Sequence, residues 1–543
     1  MLNKNEIIPL KITGMTNEGN GVGRYEGIAV FVPMTAVGDI IDCRIVKVQK
    51  NFCYGIIENL ITASANRINN NCEAYLKCGG CSFRHFSYSE ELRVKEDFVR
   101  SSFERIGKIK ADCESILGSD IIDHYRNKAQ YPVTEQNGKA ICGFYSRRSH
   151  RVTEAFDCQL QPSVFTDIVY AIMDYVNSNM IPAYNEAAGK GLIRHIYLRR
   201  GEHSGEIMVC IVVTNFKKAD VLDGLVECLC NKFSDIVSIV LNENSKNTNV
   251  IVGQKFKTIY GKDSITDIMC GRKVILSPQS FYQVNTFQAE KLYAIAKEYA
   301  DLSGTDLLLD LYCGVGTIGL SMADTVKKLI GVEIVPSAIE NAKLNALENS
   351  IYNAEFICGD AGQAGELLYN RGERPNVIIA DPARKGCDRE ALEYMVKMNP
   401  DRIVMISCNP ATAARDCAIL KEFGYEVIKY RPVDLFPRTT HVEVVCLLSK
   451  LRTKQNIEVE LEMNEMDFTA AESKATYEEI KEYVLEHSGL KVSSLYIAQV
   501  KQKFGIIERE NYNKQKSEDA KQPQCPPEKE KAIKDALKHF RMI

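Results

Sequence analysis

Three short stretches of this 543-residue chain hold the residue types that covalent and acid–base chemistry need. Ser407-Cys408-Asn409-Pro410 closes an apolar run, Arg402 to Ile406, that reads as a strand. A cysteine at a strand end, stiffened by the following Asn-Pro, is placed to act as a nucleophile through its thiolate. Asp381-Pro382-Ala383-Arg384-Lys385-Gly386 closes a second run, Val377 to Ala380, and His441-Val442-Glu443 lies beside the last one. One thiol, one carboxylate and one cation suit a specific problem, because carbon 5 of a pyrimidine is too electron-poor to attack a methyl donor directly. Adding a thiolate to carbon 6 makes carbon 5 enolate-like. That carbon takes the methyl, a base removes its proton, and the thiolate is expelled. Cys408 supplies the thiolate, Glu443 the base, and the Arg384/Gln283 neighbourhood faces the developing oxyanion. His441 competes with Glu443 as base, and a buried strand-end cysteine without chemistry is the plainer alternative for Cys408.

The donor's place is read from Asp310 to Gly319, Asp-Leu-Tyr-Cys-Gly-Val-Gly-Thr-Ile-Gly, which follows the apolar run Leu307 to Leu309. Strand, glycine-dense turn and helix start bring a backbone loop against a nucleotide-like ligand, with the amides that open the helix facing it. Gly314 to Gly319 is a GxGxxG, a weak signal by itself. Glu333 ends the next apolar run, where a carboxylate can hold the two hydroxyls of a ribose. Seven strand-like runs, near 306–311, 329–333, 354–358, 376–380, 402–407, 425–430 and 442–448, alternate with helical patterns. One of these, Pro336 to Asn349, repeats apolar residues at Ala338, Ile339, Ala342 and Leu347. The pattern predicts an α/β, Rossmann-like domain, and with Asp310 before the first turn it fits an S-adenosylmethionine methyltransferase better than a dehydrogenase.

A separate constellation, Cys72, Cys78 and Cys81, is spaced x5 then x2, with Gly79-Gly80 letting the chain fold tightly round a centre. Cys158 is one candidate among many for a fourth thiolate. Zinc and an iron–sulfur cluster both suit four thiolates. The CxxxCxxC spacing of radical enzymes is absent here.

The start, Met1 to Glu6, has no apolar signal region, and no run approaches the roughly 18 apolar residues of a membrane span. A cytoplasmic protein with no membrane partner is expected, so nineteen cysteines argue against a disulfide framework. A net charge of −3 excludes a global basic field, leaving nucleic-acid contact to local patches. Three clusters mix basic residues with aromatic rings and histidines: Arg126-Asn127-Lys128 beside Tyr125, Tyr145 to Arg151, and Arg194 to Arg200. They predict phosphate contact and base stacking on RNA, against a merely solvated basic face.

Four segments follow. Residues 1–62 alternate short strands (Ile7 to Ile12, Ile28 to Val32, Asp39 to Val48, Cys53 to Ile57) with turns such as Asn17 to Gly21, a small OB-like β-barrel of a kind that often binds RNA. Residues 63–275 form a central mixed α/β domain with the cysteine set and the basic clusters, and residues 276–450 the methyltransferase domain. Residues 451–543 are a helical extension. In it Thr476 to Glu479 reads as a capping box opening a helix to about His487, Ser494 to Phe504 as a second helix, Lys514 to Lys531 as a linker, and Lys529 to Phe540 as a last helix.

Over residues 5–450 the order of motifs resembles the bacterial 23S ribosomal RNA (uracil-5-)-methyltransferases of the RNA 5-methyluridine methyltransferase family. The resemblance is carried by the N-terminal TRAM-type barrel, Cys72/Cys78/Cys81 with Cys158, Ser280 to Asn285, Asp310 to Gly316, Asp381 to Gly386, Ser407 to Pro410 and His441 to Glu443. It implies a 4Fe–4S cluster on Cys72, Cys78, Cys81 and Cys158, Cys408 as nucleophile and Glu443 as the base for the carbon 5 proton. It also implies that Gln283, Tyr312, Gly314, Glu333 and Asp381 line the S-adenosylmethionine site, with Asp360 near the adenine. A 23S ribosomal RNA substrate is implied, and no stable protein partner. Two departures stand out: Ala383 occupies a position where the family usually has proline, and residues beyond about 455 lie outside its core. The same chemistry on transfer RNA, a non-catalytic RNA-binding protein and a nicotinamide-dependent oxidoreductase are the competing readings. The last rests on the glycine turn alone.

Overall fold

The computed structural model describes residues 2–450 except 148, 187, 247 and 249, then residues 477–504 and 525–540. The chain divides into two compact units, Met1–Arg452 and Thr453–Ile543.

The first unit opens with β1 (Ile7–Met15), β2 (Asn20–Tyr25), β3 (Ile28–Pro33), β4 (Ile40–Val48) and β5 (Phe52–Thr62), closed into a barrel in the order β1-β2-β3-β5-β4. Alternate residues of β1, Ile8, Leu10 and Ile12, fill its core with Val30, Val32 and Ile45. The turn expected at Asn17 to Gly21 ends early, because β2 starts at Asn20. Gly21 reads as a turn residue, yet a Cβ on it would meet Thr35 Oγ1 at 2.0 Å, and one on Gly23, further along β2, would meet Leu10 Cγ at 2.6 Å. In so narrow a barrel the missing side chains are what lets the strand close.

Helix α1 (Tyr88–Arg105) and the two-residue strand β6 (Asp112–Cys113) lead into the central sheet. That sheet runs β13-β12-β11-β10-β7-β8-β9, with β7 (Lys128–Gln136), β8 (Lys139–Tyr145), β9 (Val152–Glu154), β10 (Ile193–Arg200), β11 (Ile207–Val213), β12 (Ile236–Glu243) and β13 (Lys255–Gly261). Helices α2 (Ser163–Ser178) and α3 (Asp223–Lys232) take part in its core. A hairpin, β14 (Ile265–Met269) with β15 (Arg272–Leu276), joins it to the next domain.

From α4 (Thr286–Ala300) the pattern becomes doubly wound: β16 (Leu307–Leu311), α5 (Thr317–Met322), β17 (Lys328–Glu333), α6 (Pro336–Glu348), β18 (Ala354–Cys358), α7 (Ala361–Asn370), β19 (Val377–Ala380), α8 (Arg389–Lys397), β20 (Arg402–Ser407), α9 (Pro410–Glu422), β21 (Tyr425–Val433) and β22 (Glu443–Lys450). The strand order is β18-β17-β16-β19-β20-β22-β21-β6. β22 runs antiparallel to both β20 and β21, while β16 to β20 are parallel. The seven runs read from sequence are the seven main strands; β6, contributed by the segment after α1, was not readable from so short a piece. Two apolar clusters cover the two faces of the sheet. In α6, Ile339 and Ala342 face inward as expected, whereas Leu347 is 63% exposed and Asn345 and Ala346 are buried instead. Asn345 is buried because it donates to the Val315 carbonyl at 3.0 Å and accepts from Ile275 N at 2.9 Å.

In the second unit, α10 (Tyr477–Ser488), α11 (Ser494–Lys503) and α12 (Pro527–His539) enclose Ile480, Val484, Ile497, Val500, Ile533 and Leu537. Gly489, at φ 70°, ends α10. The capping residue Thr476 and the linker part 514–524 lie outside the described residues. Among the described residues no helix is long and apolar enough to cross a membrane.

Candidate active site

The parallel strands β16 to β20 end at one edge, where a doubly wound sheet collects its functional loops. There β16 delivers the glycine turn. Gly316, at φ 85°, precedes α5 in the left-handed region, and Tyr312 adopts φ 65° in the same turn, a conformation that only tight surroundings hold in a non-glycine residue. The amides expected to face a ligand are partly engaged within the protein: Gly319 N donates to Asp310 Oδ2 at 2.8 Å and Gly314 N to Glu333 Oε2 at 3.2 Å. Glu333 also accepts from Val335 N at 2.9 Å, which fixes its carboxylate at the end of β17. At the end of β18, Asp360 caps α7 by accepting from Gly362 N at 2.9 Å.

Cys408 follows β20 and is partly buried. Asn409 next to it accepts from Ala411 N at 3.2 Å, capping α9, and donates to the Arg384 carbonyl at 3.1 Å, so the nucleophile loop and the Asp381 loop are tied together. Glu443, first residue of β22, is 4% exposed. Burial, with Asp381 beside it, pushes the Glu443 carboxyl up to about 8 against the pull of Arg384. Burial likewise raises Asp381 to about 7 and Asp310 to about 7. The Cys408 thiol is raised to about 11 by burial, then by Glu443 and Asp381, with Arg384 opposing. His441 Nε2 lies 3.4 Å from Arg384 Nη2, and burial together with that guanidinium holds the imidazole down at about 4. Of the two candidate bases, Glu443 therefore binds a proton more strongly.

Gln283 is buried in the loop that precedes α4. The Ser280 to Asn285 loop is held by the central domain: Asn127 Nδ2 donates to the Gln283 carbonyl at 2.8 Å and to Thr286 Oγ1 at 2.9 Å. The buried Arg199 donates to the carbonyls of Ser277 at 3.0 Å and Ser280 at 2.6 Å. This corrects the reading of Arg194 to Arg200 as a phosphate-binding patch, since Arg194, His195 and Arg199 are all buried. A second brace was not readable from sequence. Lys95, 2% exposed, donates to Glu91 and Asp434, each at 2.7 Å, and so pins the loop that leads to His441 and Glu443 onto α1. Residues 339 positions apart make that contact, so no local pattern announces it.

Cys72, Cys78, Cys81 and Cys158 line one cavity of about 110 Å³, together with Arg84 and Arg126. Gly80 lies on its lining, and the neighbouring Gly79 donates its N–H to the Tyr145 carbonyl at 2.9 Å, where a Cβ would sit tightly at 3.0 Å from that oxygen. Among the described residues no three His, Cys, Asp or Glu side chains stand ready to hold a metal ion.

Residues 87–451 match the family model described as tRNA (Uracil-5-)-methyltransferase. The chain belongs to that family. Residues 2–57 match the TRAM domain, which accounts for the barrel. An uncharacterized RNA methyltransferase of Clostridium tetani is 41% identical over 446 residues, 82% of this chain and 97% of that one. One from Halalkalibacterium halodurans is 40% identical over 448 residues, 82% and 98% of the two chains. Among solved structures, the Pyrococcus abyssi tRNA (uracil-54, C5)-methyltransferase in complex with S-adenosyl-L-homocysteine superposes with a TM-score of 0.66 at 25% identity. It covers 81% of this chain and 99% of its own. The Rossmann-like sheet and the barrel are thus features of a family of RNA methyltransferases, to which the C-terminal extension lies external.

Proposed function

We propose that the protein methylates carbon 5 of uridine in 23S ribosomal RNA, using S-adenosylmethionine and a covalent bond from Cys408 to carbon 6. The observation that carries this reading is the shared electrostatic neighbourhood of Cys408, Glu443, Asp381 and Arg384 at the strand ends. Three carboxyls there, Asp310, Asp381 and Glu443, are raised by burial, and Asp310 Oδ1 is buried without a partner. Such a cluster fits a positively charged ligand, which lowers the cost of ionising each carboxyl.

Gln283, Tyr312, Gly314, Glu333, Asp360 and Asp381 are the residues that would hold the donor, with Glu333 taking the ribose hydroxyls. S-adenosylmethionine supplies, when bound, an electrophilic methyl group on a cationic sulfur. Cys408, after giving its thiol proton to solvent, adds through Sγ to carbon 6 of the uracil ring, and the electron pair of the carbon 5–carbon 6 double bond shifts toward the ring carbonyl oxygen. Arg384 faces the oxyanion that forms at the ring carbonyl. Once carbon 5 carries the methyl, Glu443 takes its proton and the bond from Sγ to carbon 6 breaks, restoring the ring.

The four cysteines are proposed to bind a 4Fe–4S cluster with a structural role. Support comes from four sulfurs around one cavity of about 110 Å³, whereas a water molecule takes only about 30 Å³. Anaerobically purified protein is expected to be brown with about four irons per chain, as four-thiolate clusters are. Cys158→Ser should lose iron and colour together; one zinc per chain in colourless protein would overturn the assignment.

The same reaction on transfer RNA is the second reading, favoured by the Pyrococcus abyssi enzyme and by the description of the family. Labelled methyl transfer from S-adenosylmethionine to unmodified 23S ribosomal RNA and, separately, to unmodified transfer RNA decides between them. Label recovered as 5-methyluridine in ribosomal RNA is the expected result. Label in transfer RNA alone would keep the mechanism and replace the substrate.

A further inference from the structure

A second cavity, of about 210 Å³, opens in the central domain away from Cys408. Sites that enclose whole drug-sized ligands occupy roughly 300–1,000 Å³, so this one accepts a single ring system. One wall is β10 at an irregularity: Ile193 pairs with Val213 and His195 with Val212, which leaves Arg194 as an extra residue in the strand. Regular alternation would send neighbours to opposite faces, but a bulge re-aims side chains, and both Arg194 and His195 line the cavity. They are 4% and 6% exposed. Arg194 Nη1 donates to the carbonyls of Asn244 and Lys246, each at 2.7 Å, and its guanidinium lies 4.5 Å from the Tyr184 ring centre.

That grip leaves two polar atoms without a partner, Arg194 Nε and His195 Nδ1. A buried donor or ring nitrogen left unpaired is costly, and two on adjacent residues beside a cavity mark a place for a ligand's polar edge. At the mouth, the rings of Tyr145 and His150 are 5.5 Å apart, and Glu186 lies 3.3 Å from His150 Nδ1. The carboxylate of Glu186 argues against a phosphate. Burial and Arg194 also hold His195 neutral, lowering it to about 4. A neutral imidazole, one free arginine donor, one carboxylate and aromatic surface suit a planar ring bearing both N–H donors and acceptors.

We propose that this cavity takes one splayed-out nucleobase of the substrate RNA, in addition to the uridine presented to Cys408. The proposal rests on the reading of the protein as an RNA-modifying enzyme. Base edges carry the complementary donors and acceptors, and unstacked bases of single-stranded RNA settle on aromatic side chains.

The test is fluorescence anisotropy with the full-length protein, in the absence of S-adenosylmethionine. The probes are a short fluorescein-labelled single-stranded RNA of mixed sequence and its abasic counterpart. Tyr145→Leu and His150→Ala, both at the accessible mouth, should each weaken binding of the normal RNA about tenfold, the loss expected for one stacking contact. His195→Gln should weaken it as well. None of the three should alter binding of the abasic strand. Equal loss on both strands, or no loss in any folded variant, overturns the proposal. Titration with AMP, CMP, GMP and UMP separates the sources. Nucleotide binding abolished by His195→Gln while RNA affinity is unchanged would show a free-nucleotide site and overturn the RNA assignment. Failure of the wild-type protein to methylate any RNA would refute the proposed reaction without affecting this comparison, which reads binding alone.

Discussion

Cys408→Ala is expected to lower methyl transfer by about 10⁴-fold or more, as removal of a covalent nucleophile does. Its charged neighbours are poor substitutes for a thiolate in adding to carbon 6, because burial holds Glu443 and Asp381 toward the protonated form and Arg384 is a guanidinium. The resting thiol is held protonated, raised to about 11 by burial and by the two carboxylates. Its activation therefore depends on positive charge arriving among those groups, which links nucleophile strength to donor binding. Affinity for S-adenosylmethionine should stay close to that of the wild type, since the residues proposed to hold the donor are untouched. The measurement is label incorporation in single turnover, alongside calorimetric titration of the donor. Residual methylation within tenfold of the wild type would show that carbon 5 is activated without Cys408.

Glu443→Gln should behave differently. Addition to carbon 6 and methylation proceed, but the carbon 5 proton has no acceptor, so a covalent protein–RNA species accumulates and survives denaturation. Turnover should fall by about 10²- to 10⁴-fold, the usual contribution of a positioned base. The pH dependence carries the sign. In the wild type the carboxyl must be ionised to accept the proton, so breakdown of the covalent species should speed up with pH and level off above about 8. That rise should be absent from the residual activity of Glu443→Gln. Stability moves the other way: the folded carboxyl, raised from 4.5 to about 8, holds its proton longer than the unfolded one. Its contribution is fully favourable below about 4.5 and is lost as pH rises through 8. Glutamine removes that loss, so the variant's Tm should exceed the wild type's above pH 8 and converge with it in acid. No covalent species, together with an unchanged pH profile, would move the base elsewhere, with His441 the next group to test.

Much of the architecture was legible because it is recorded locally. β16, β17, β19, β20 and β22 are apolar runs bounded by polar or glycine-bearing turns, and burial of both faces of the sheet produces that signal, whereas β18 and β21 keep partly exposed positions. Strands that break the local rule were not legible. β2 carries glycines because Leu10 and Thr35 occupy their space, and β6 is two residues long. Leu347 shows the limit within one helix, since periodicity finds an apolar face but not which neighbour will cover it.

By itself the sequence determined the order and identity of the chemical groups: the thiol of Cys408 ahead of Asn-Pro, the carboxyls of Asp310, Glu333, Asp381 and Glu443, and the spacing of Cys72, Cys78 and Cys81. These depend on neighbours along the chain, which composition and spacing record. Tertiary structure alone decided what surrounds them. It set Cys158 on the same cavity as the three earlier cysteines. It buried Arg199 under the Ser280 loop and joined Lys95 to Asp434 across the molecule. It packed three carboxyls where burial raises all of them. The physical reason is that a side chain's charge state and partners follow from desolvation and from groups hundreds of residues away, neither of which leaves a periodic trace in the chain.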